Sequence, residues 1–130
     1  MNQKNIGYSS KPLEAKLGVK NNTVLIIDSP KDFSLNAPIK NKPTKEESLI
    51  LFFTDKKEEL NNKFPKLKQY LSPSGSLWIA WPKKSSKIKT DLNENIIRDI
   101  GLQNGLVDVK VIAVDSLWSA LKFVFRLKDR

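Results

Sequence analysis

Three short apolar runs organise this chain: Thr23-Val24-Leu25-Ile26-Ile27-Asp28, Ser48-Leu49-Ile50-Leu51-Phe52-Phe53, and Leu77-Trp78-Ile79-Ala80-Trp81, the last stopped by Pro82. Runs of this length without polar alternation predict strands covered on both faces, the habit of a parallel sheet. After the second run, Asp55 and Glu58 resemble a capping box, and Leu60, Phe64, Leu67 and Leu71 line one helical face. Pro65 is expected to kink or divide that helix. After the third run, Thr90 or Asp91 is expected to cap a helix whose apolar face is Leu92, Ile96, Ile97 and Ile100, with Gly105 at its end.

Elsewhere the period changes. Val107, Val109 and Val111 alternate with polar residues before Ile112-Ala113-Val114, and Leu121, Phe123, Phe125 and Leu127 alternate with Lys122, Val124, Arg126 and Lys128. Two strands follow from that pattern, expected to be antiparallel, and the charged second face of the last one marks it as half-exposed. Near the start, Ser10, Pro12 and Gly18 bracket a short helix carrying Leu13 and Leu17. Residues 29–47, broken by Pro30, Pro38 and Pro43, predict a long surface connection with a helical turn near Asp32 to Leu35. Ser74-Gly75 predicts a turn.

Strands alternating with helices imply right-handed crossovers. The expected fold is α/β: a three-layer Rossmann-like sandwich, its sheet of about five mostly parallel strands ending in an antiparallel hairpin. A length of 130 residues suits one domain, 1–130, and no repeat or low-complexity segment breaks it.

Composition narrows the chemistry. There is no Cys and no His, which removes disulfides, thiolate chemistry, the usual zinc ligands and the commonest general base. No cofactor and no metal site is predicted. The apolar runs reach about five residues, against the ~20 that span a bilayer, and the N-terminus shows no signal-like apolar region, so a cytoplasmic location without membrane attachment is expected. The formal charge is +9, which suits anionic partners, but only Arg98, Arg126 and Arg130 among the 23 basic residues are Arg. Base and bidentate phosphate recognition favour Arg, so nucleic acid is not the favoured partner.

In open α/β sheets ligands gather at the carboxyl ends of strands. Here those ends are Asp28-Ser29, Thr54-Asp55, Trp81-Pro82-Lys83-Lys84 and Asp115. Trp81, Lys83, Lys84, Ser85 and Ser86 form the most suggestive segment, because a buried strand delivers two ammonium groups and two hydroxyls just ahead of a helix N-terminus, where an anion is welcome. The bland alternative is a solvated loop. Ser86 and Lys89 match S-x-x-K without its companion motifs. Asp28, Asp55 and Asp115 are conceivable as a carboxylate cluster, although helix capping and turn formation explain each one separately. Trp78 and Trp81, three apart, point to opposite faces of a strand; Trp118 is either core or, beside Phe123 and Phe125, an anchor for a partner or second copy.

Leu71-Ser72-Pro73-Ser74-Gly75-Ser76-Leu77-Trp78-Ile79-Ala80-Trp81 resembles the L-x-P-G-G-x-L turn and strand of class I methyltransferases, and the helix and hairpin after it fit their later half. The Gly-rich loop that holds adenosylmethionine (SAM) in that family is replaced by Asp28-Ser29-Pro30-Lys31, so the resemblance implies a fold rather than an activity. Gly7-Tyr8-Ser9-Ser10-Lys11-Pro12-Leu13, Trp81-Pro82-Lys83-Lys84-Ser85-Ser86, Gly105-Leu106-Val107-Asp108-Val109-Lys110-Val111 and Trp118-Ser119-Ala120-Leu121-Lys122-Phe123 resemble the small bacterial DUF3052 family over nearly the full length. That resemblance carries no catalytic residue. The expectation is a non-enzymatic, or at most weakly catalytic, domain that binds an anionic small molecule or a protein partner through Lys83–Ser86, as monomer or homodimer. A divergent SAM-dependent methyltransferase is the alternative, and an RNA-binding protein the third.

Overall fold

The computed structural model describes residues 11–130. Its elements run α1 (Leu13–Leu17), β1 (Val24–Ile27), β2 (Ile39–Lys40), β3 (Glu47–Phe53), α2 (Lys57–Tyr70), β4 (Leu71–Pro82), α3 (Glu94–Gln103), β5 (Leu106–Ala113) and β6 (Trp118–Phe125), with one-turn 3-10 segments at Lys84–Ser86 and Leu127–Asp129. The six strands form one sheet in the order β2-β1-β3-β4-β6-β5. β2, β1, β3 and β4 are parallel, whereas β6 pairs antiparallel with both β4 and β5. The fold is the expected Rossmann-like α/β sheet.

The three apolar runs are strands because each is covered on both faces. On one face α2 and α3 lay Leu60, Phe64, Leu67, Ile97 and Ile100 against Leu25, Ile50, Phe52, Leu77, Ile79, Leu121 and Phe123. On the other, Leu17 of α1 joins Phe33, Leu35 and Ala37 of the β1–β2 connection over Val24, Leu51, Phe53, Trp78 and Ala120. That outer layer is one short helix and an irregular segment. Trp78 and Trp81 fall in opposite cores, as their spacing requires, and Trp78 donates its indole N–H to the Leu17 carbonyl at 3.1 Å. Trp118 is half-buried and meets Phe53 edge-on with centroids 5.2 Å apart. No helix among the described residues is long and apolar enough to cross a membrane.

Several local expectations are corrected. A sixth strand, β2, lies inside the presumed connection; its two residues carry no apolar run, and pairing with β1 is what makes them a strand. The helical turn near Asp32 is a single turn, closed by Phe33 N–H donating to the Pro30 carbonyl at 3.1 Å. Ser74-Gly75 lies within β4 at a register irregularity opposite Glu47 and Leu49, and a Cβ at Gly75 would sit 2.8 Å from the Glu47 carbonyl oxygen. Pro65 does not divide α2. It sits on the exposed side, where the carbonyl it leaves unbonded, that of exposed Asn61, is open to solvent, while the buried Leu60-Phe64-Leu67 stripe keeps the helix in place. Ser10, the expected cap of α1, lies outside the described residues, as does most of the Gly7–Leu13 block; Gly18, in the left-handed region at φ 86°, closes α1 as expected.

Candidate functional site

The carboxyl ends of β3 and β4 are joined by a loop that doubles back across them. β4 ends at Pro82, the 3-10 turn follows, and residues 87–93 return toward the start of α2 before α3 begins. Two contacts hold this return. Thr90 donates its hydroxyl to the Asp55 carbonyl at 2.7 Å, and Asp91 accepts from the Lys57 backbone N–H at 2.8 Å. The caps are therefore redistributed: Asp91 serves the N-terminus of α2, and Asn93 caps α3 by accepting from Ile96 N–H at 2.9 Å. Neither Asp55 nor Glu58 makes a side-chain cap on α2.

This folding back creates a cavity of about 670 Å³ between the β4 end and the start of α3, lined by Trp81, Pro82, Lys83, Lys84, Ile88, Lys89, Asn93, Glu94 and Ser119 among others. A second, of about 560 Å³, adjoins it across Lys89, Thr90 and Asp91, and is bounded by Asp55, Lys56 and Glu58. Pockets that hold small organic ligands have volumes of ~300–1,000 Å³. The ammonium groups of Lys83, Lys84 and Lys89 have no partner among the described residues. The nearby carboxylates are committed: Asp91 to Lys57, and Glu94 to a close ion pair with Arg98, itself also bonded to Asp108.

Of the residues expected at a site, Trp81, Lys83 and Lys84 come together at the larger cavity, and Asp55 reaches the smaller one. Ser85 and Ser86 border neither. Ser86 turns its hydroxyl back to the Lys83 carbonyl at 2.7 Å and accepts from Ile88 N–H at 3.2 Å. The S-x-x-K match is thereby a local turn. Asp28 stands at the β1 end with φ 59° and binds Lys63 at 2.7 Å; Lys63 also approaches Glu59, which accepts the hydroxyl of the buried Thr54. Hydrogen bonding to Asp28 pushes the Lys63 pKa up, against a smaller opposing effect of burial. Asp115 accepts from the N–H groups of Leu117 and Trp118 in the β5–β6 turn. The three aspartates thus have separate partners, and no acidic cluster suited to a metal ion occurs among the described residues. Lys89, noted in the sequence only for the S-x-x-K match, joins the site with Asn93 and Ser119, because only the folding back of the loop and the β6 pairing bring them there.

No protein-family model matches the chain, and no curated protein does. Among solved structures it is similar to a LepI variant in complex with SAH and a substrate analogue, at 10% identity and a TM-score of 0.54, covering 88% of this chain and 39% of that one. It is similar also to the LepI complex with SAM, again at 10% identity and TM-score 0.54, over 96% of this chain and 50% of the other. The chain thus spans half or less of the length of these structures, and at such low identity the likeness establishes the shared Rossmann-like fold.

Proposed function

We propose that this domain binds an anionic small molecule at the carboxyl ends of β3 and β4, held by Lys83, Lys84 and Lys89. The observation that carries this reading is the imbalance at the larger cavity: three lysines whose ammonium groups have no partner among the described residues line it, while its carboxylates are bound to the protein's own donors. A bound anion relieves the mutual repulsion of the lysines. This reading is one of binding, and the sequence holds neither His nor Cys.

Thermal shifts at low salt with phosphorylated metabolites, carboxylates, nucleotides, SAM and short RNA test it, since a ligand at ~100 times its Kd stabilises by about 2.7 kcal/mol. The variant Lys83→Ala/Lys84→Ala is expected to keep the melting temperature of the free protein and to weaken anion binding at least tenfold. Unchanged binding in that variant overturns the proposal.

SAM binding is the second reading, favoured by the likeness to LepI bound to SAM. Against it, the connection after β1 has no glycine, folds Phe33, Leu35 and Ala37 onto the sheet, and begins with Asp28 tied to Lys63. Calorimetric titration with millimolar SAM decides it; no heat of binding rejects this reading.

A further inference from the structure

We infer that the ligand of the larger cavity is an amphipathic organic anion: an apolar body with a single anionic head. This deepens, and rests on, the anion-binding reading.

The buried part of the cavity's lining is apolar. Trp81, Pro82 and Leu92 are buried residues, Trp81 and Leu92 belonging to the core beneath α3, and the half-buried Ile88 completes the apolar lining. Lys84 and Lys89 are exposed and Lys83 is half-exposed. A long lysine carries its charge outward from such a surface. A ligand that uses both parts needs a carbon skeleton against Trp81, Pro82, Ile88 and Leu92, and a charge directed to the lysines.

Size points the same way. A water molecule occupies ~30 Å³ of liquid, so an inorganic oxyanion, the size of a few waters, fills a small fraction of about 670 Å³ and leaves the apolar surface wet. Burying that surface supplies roughly 25 cal/mol per Å², which the bare ion forgoes.

The adjoining cavity limits the charge. Asp55, Glu58 and Asp91 border it against only Lys56 and Lys89, and Lys56 already lies 3.7 Å from Asp55. A second anionic group extending that way meets carboxylates, so dianions with separated heads and polyphosphates are disfavoured.

Calorimetric titration of the full chain at low salt with 2-naphthoate, acetate, 2-naphthamide and inorganic phosphate separates head from body. 2-Naphthoate is expected to bind at least tenfold more tightly than acetate, which has the head alone, and than 2-naphthamide, which has the body without the charge. Ile88→Ser is expected to weaken 2-naphthoate at least threefold and leave phosphate unaffected; Lys83→Ala/Lys84→Ala is expected to weaken both. Acetate or phosphate binding as tightly as 2-naphthoate overturns this inference and leaves the anion-binding reading standing. 2-Naphthamide matching 2-naphthoate, no binding of any anion, or binding indifferent to both variants overturns the two together.

Discussion

Asp91 accepts a hydrogen bond from the backbone N–H of Lys57, 34 positions earlier, at 2.8 Å. One carboxylate thereby caps α2, closes the loop that follows β4, and stands at the boundary of both cavities. Asp91→Ala should cost about 1 kcal/mol through loss of the cap, lowering Tm by roughly 4 °C. It should also tighten anion binding, because a negative charge leaves the cavity wall. Paired melts and anion titrations check both signs; a variant that weakens anions would mean that Asp91 orders the lysines rather than opposing their ligand.

Gly101 faces Phe123 across the α3–β6 contact, and a Cβ there would lie 2.0 Å from the ring. Gly101→Ala should therefore destabilise by about 2 kcal/mol, roughly 8 °C in Tm, through overpacking. Phe123→Leu makes room, so the double variant should be more stable than the sum of the two losses predicts, a coupling measurable by chemical denaturation.

Glu47 is buried at the start of β3 and binds Lys40 at 2.8 Å and the Thr44 backbone N–H at 2.7 Å, with the Thr44 hydroxyl also donating to it. Burial alone raises its pKa, but Lys40 and the two Thr44 donors together outweigh that effect and bring it below the ordinary carboxylate value. A lowered folded pKa means the contribution is complete above the unfolded value of ~4.3 and fades as pH falls through the folded one. Glu47→Gln should flatten that acid-side loss of stability, and Glu47→Ala should cost about 2 kcal/mol at neutral pH. Urea melts from neutral pH downward provide the comparison.

Lys122 stands directly across from Lys110, with its ammonium 5.9 Å from the centre of the Trp78 ring. Burial first, and the Lys110 charge second, lower its pKa. For a lysine this sign means the charged form is disfavoured by folding, so stability should rise as pH climbs through the folded pKa toward the unfolded ~10.4. Lys122→Met should raise Tm at neutral pH by roughly 2 °C, about 0.5 kcal/mol, and remove the alkaline rise. A lower Tm would show that the contact with Trp78 outweighs the repulsion.

The sheet was legible where burial wrote itself into the residue types. Leu49 to Phe53 needs two covered faces, and the alternation around Phe123 needs one. β2 was illegible because Ile39 and Lys40 become a strand only through β1, and Ile39 stays largely exposed. The caps misled for a related reason: Asp91 looks like a local cap but serves a helix distant in sequence, while Asn93 takes the local role. At the candidate site, the nearness of Trp81, Lys83 and Lys84 was readable from their place at the end of a buried strand. Ser86 was not, because a hydroxyl that bonds its own turn and one that faces a ligand look alike in sequence.

β6 lies between β4 and β5 although it follows both in the chain. During synthesis β5 therefore emerges with no neighbour to pair with, and Phe123, against which α2 and α3 pack, arrives later still. Partial chains stopped before residue 118 are left with an open edge on β4 and an unpaired β5, the kind of surface that invites association with other chains. Assembly of this domain is thus bound to a late, long-range closure, which slows folding relative to a sheet built from neighbours in sequence.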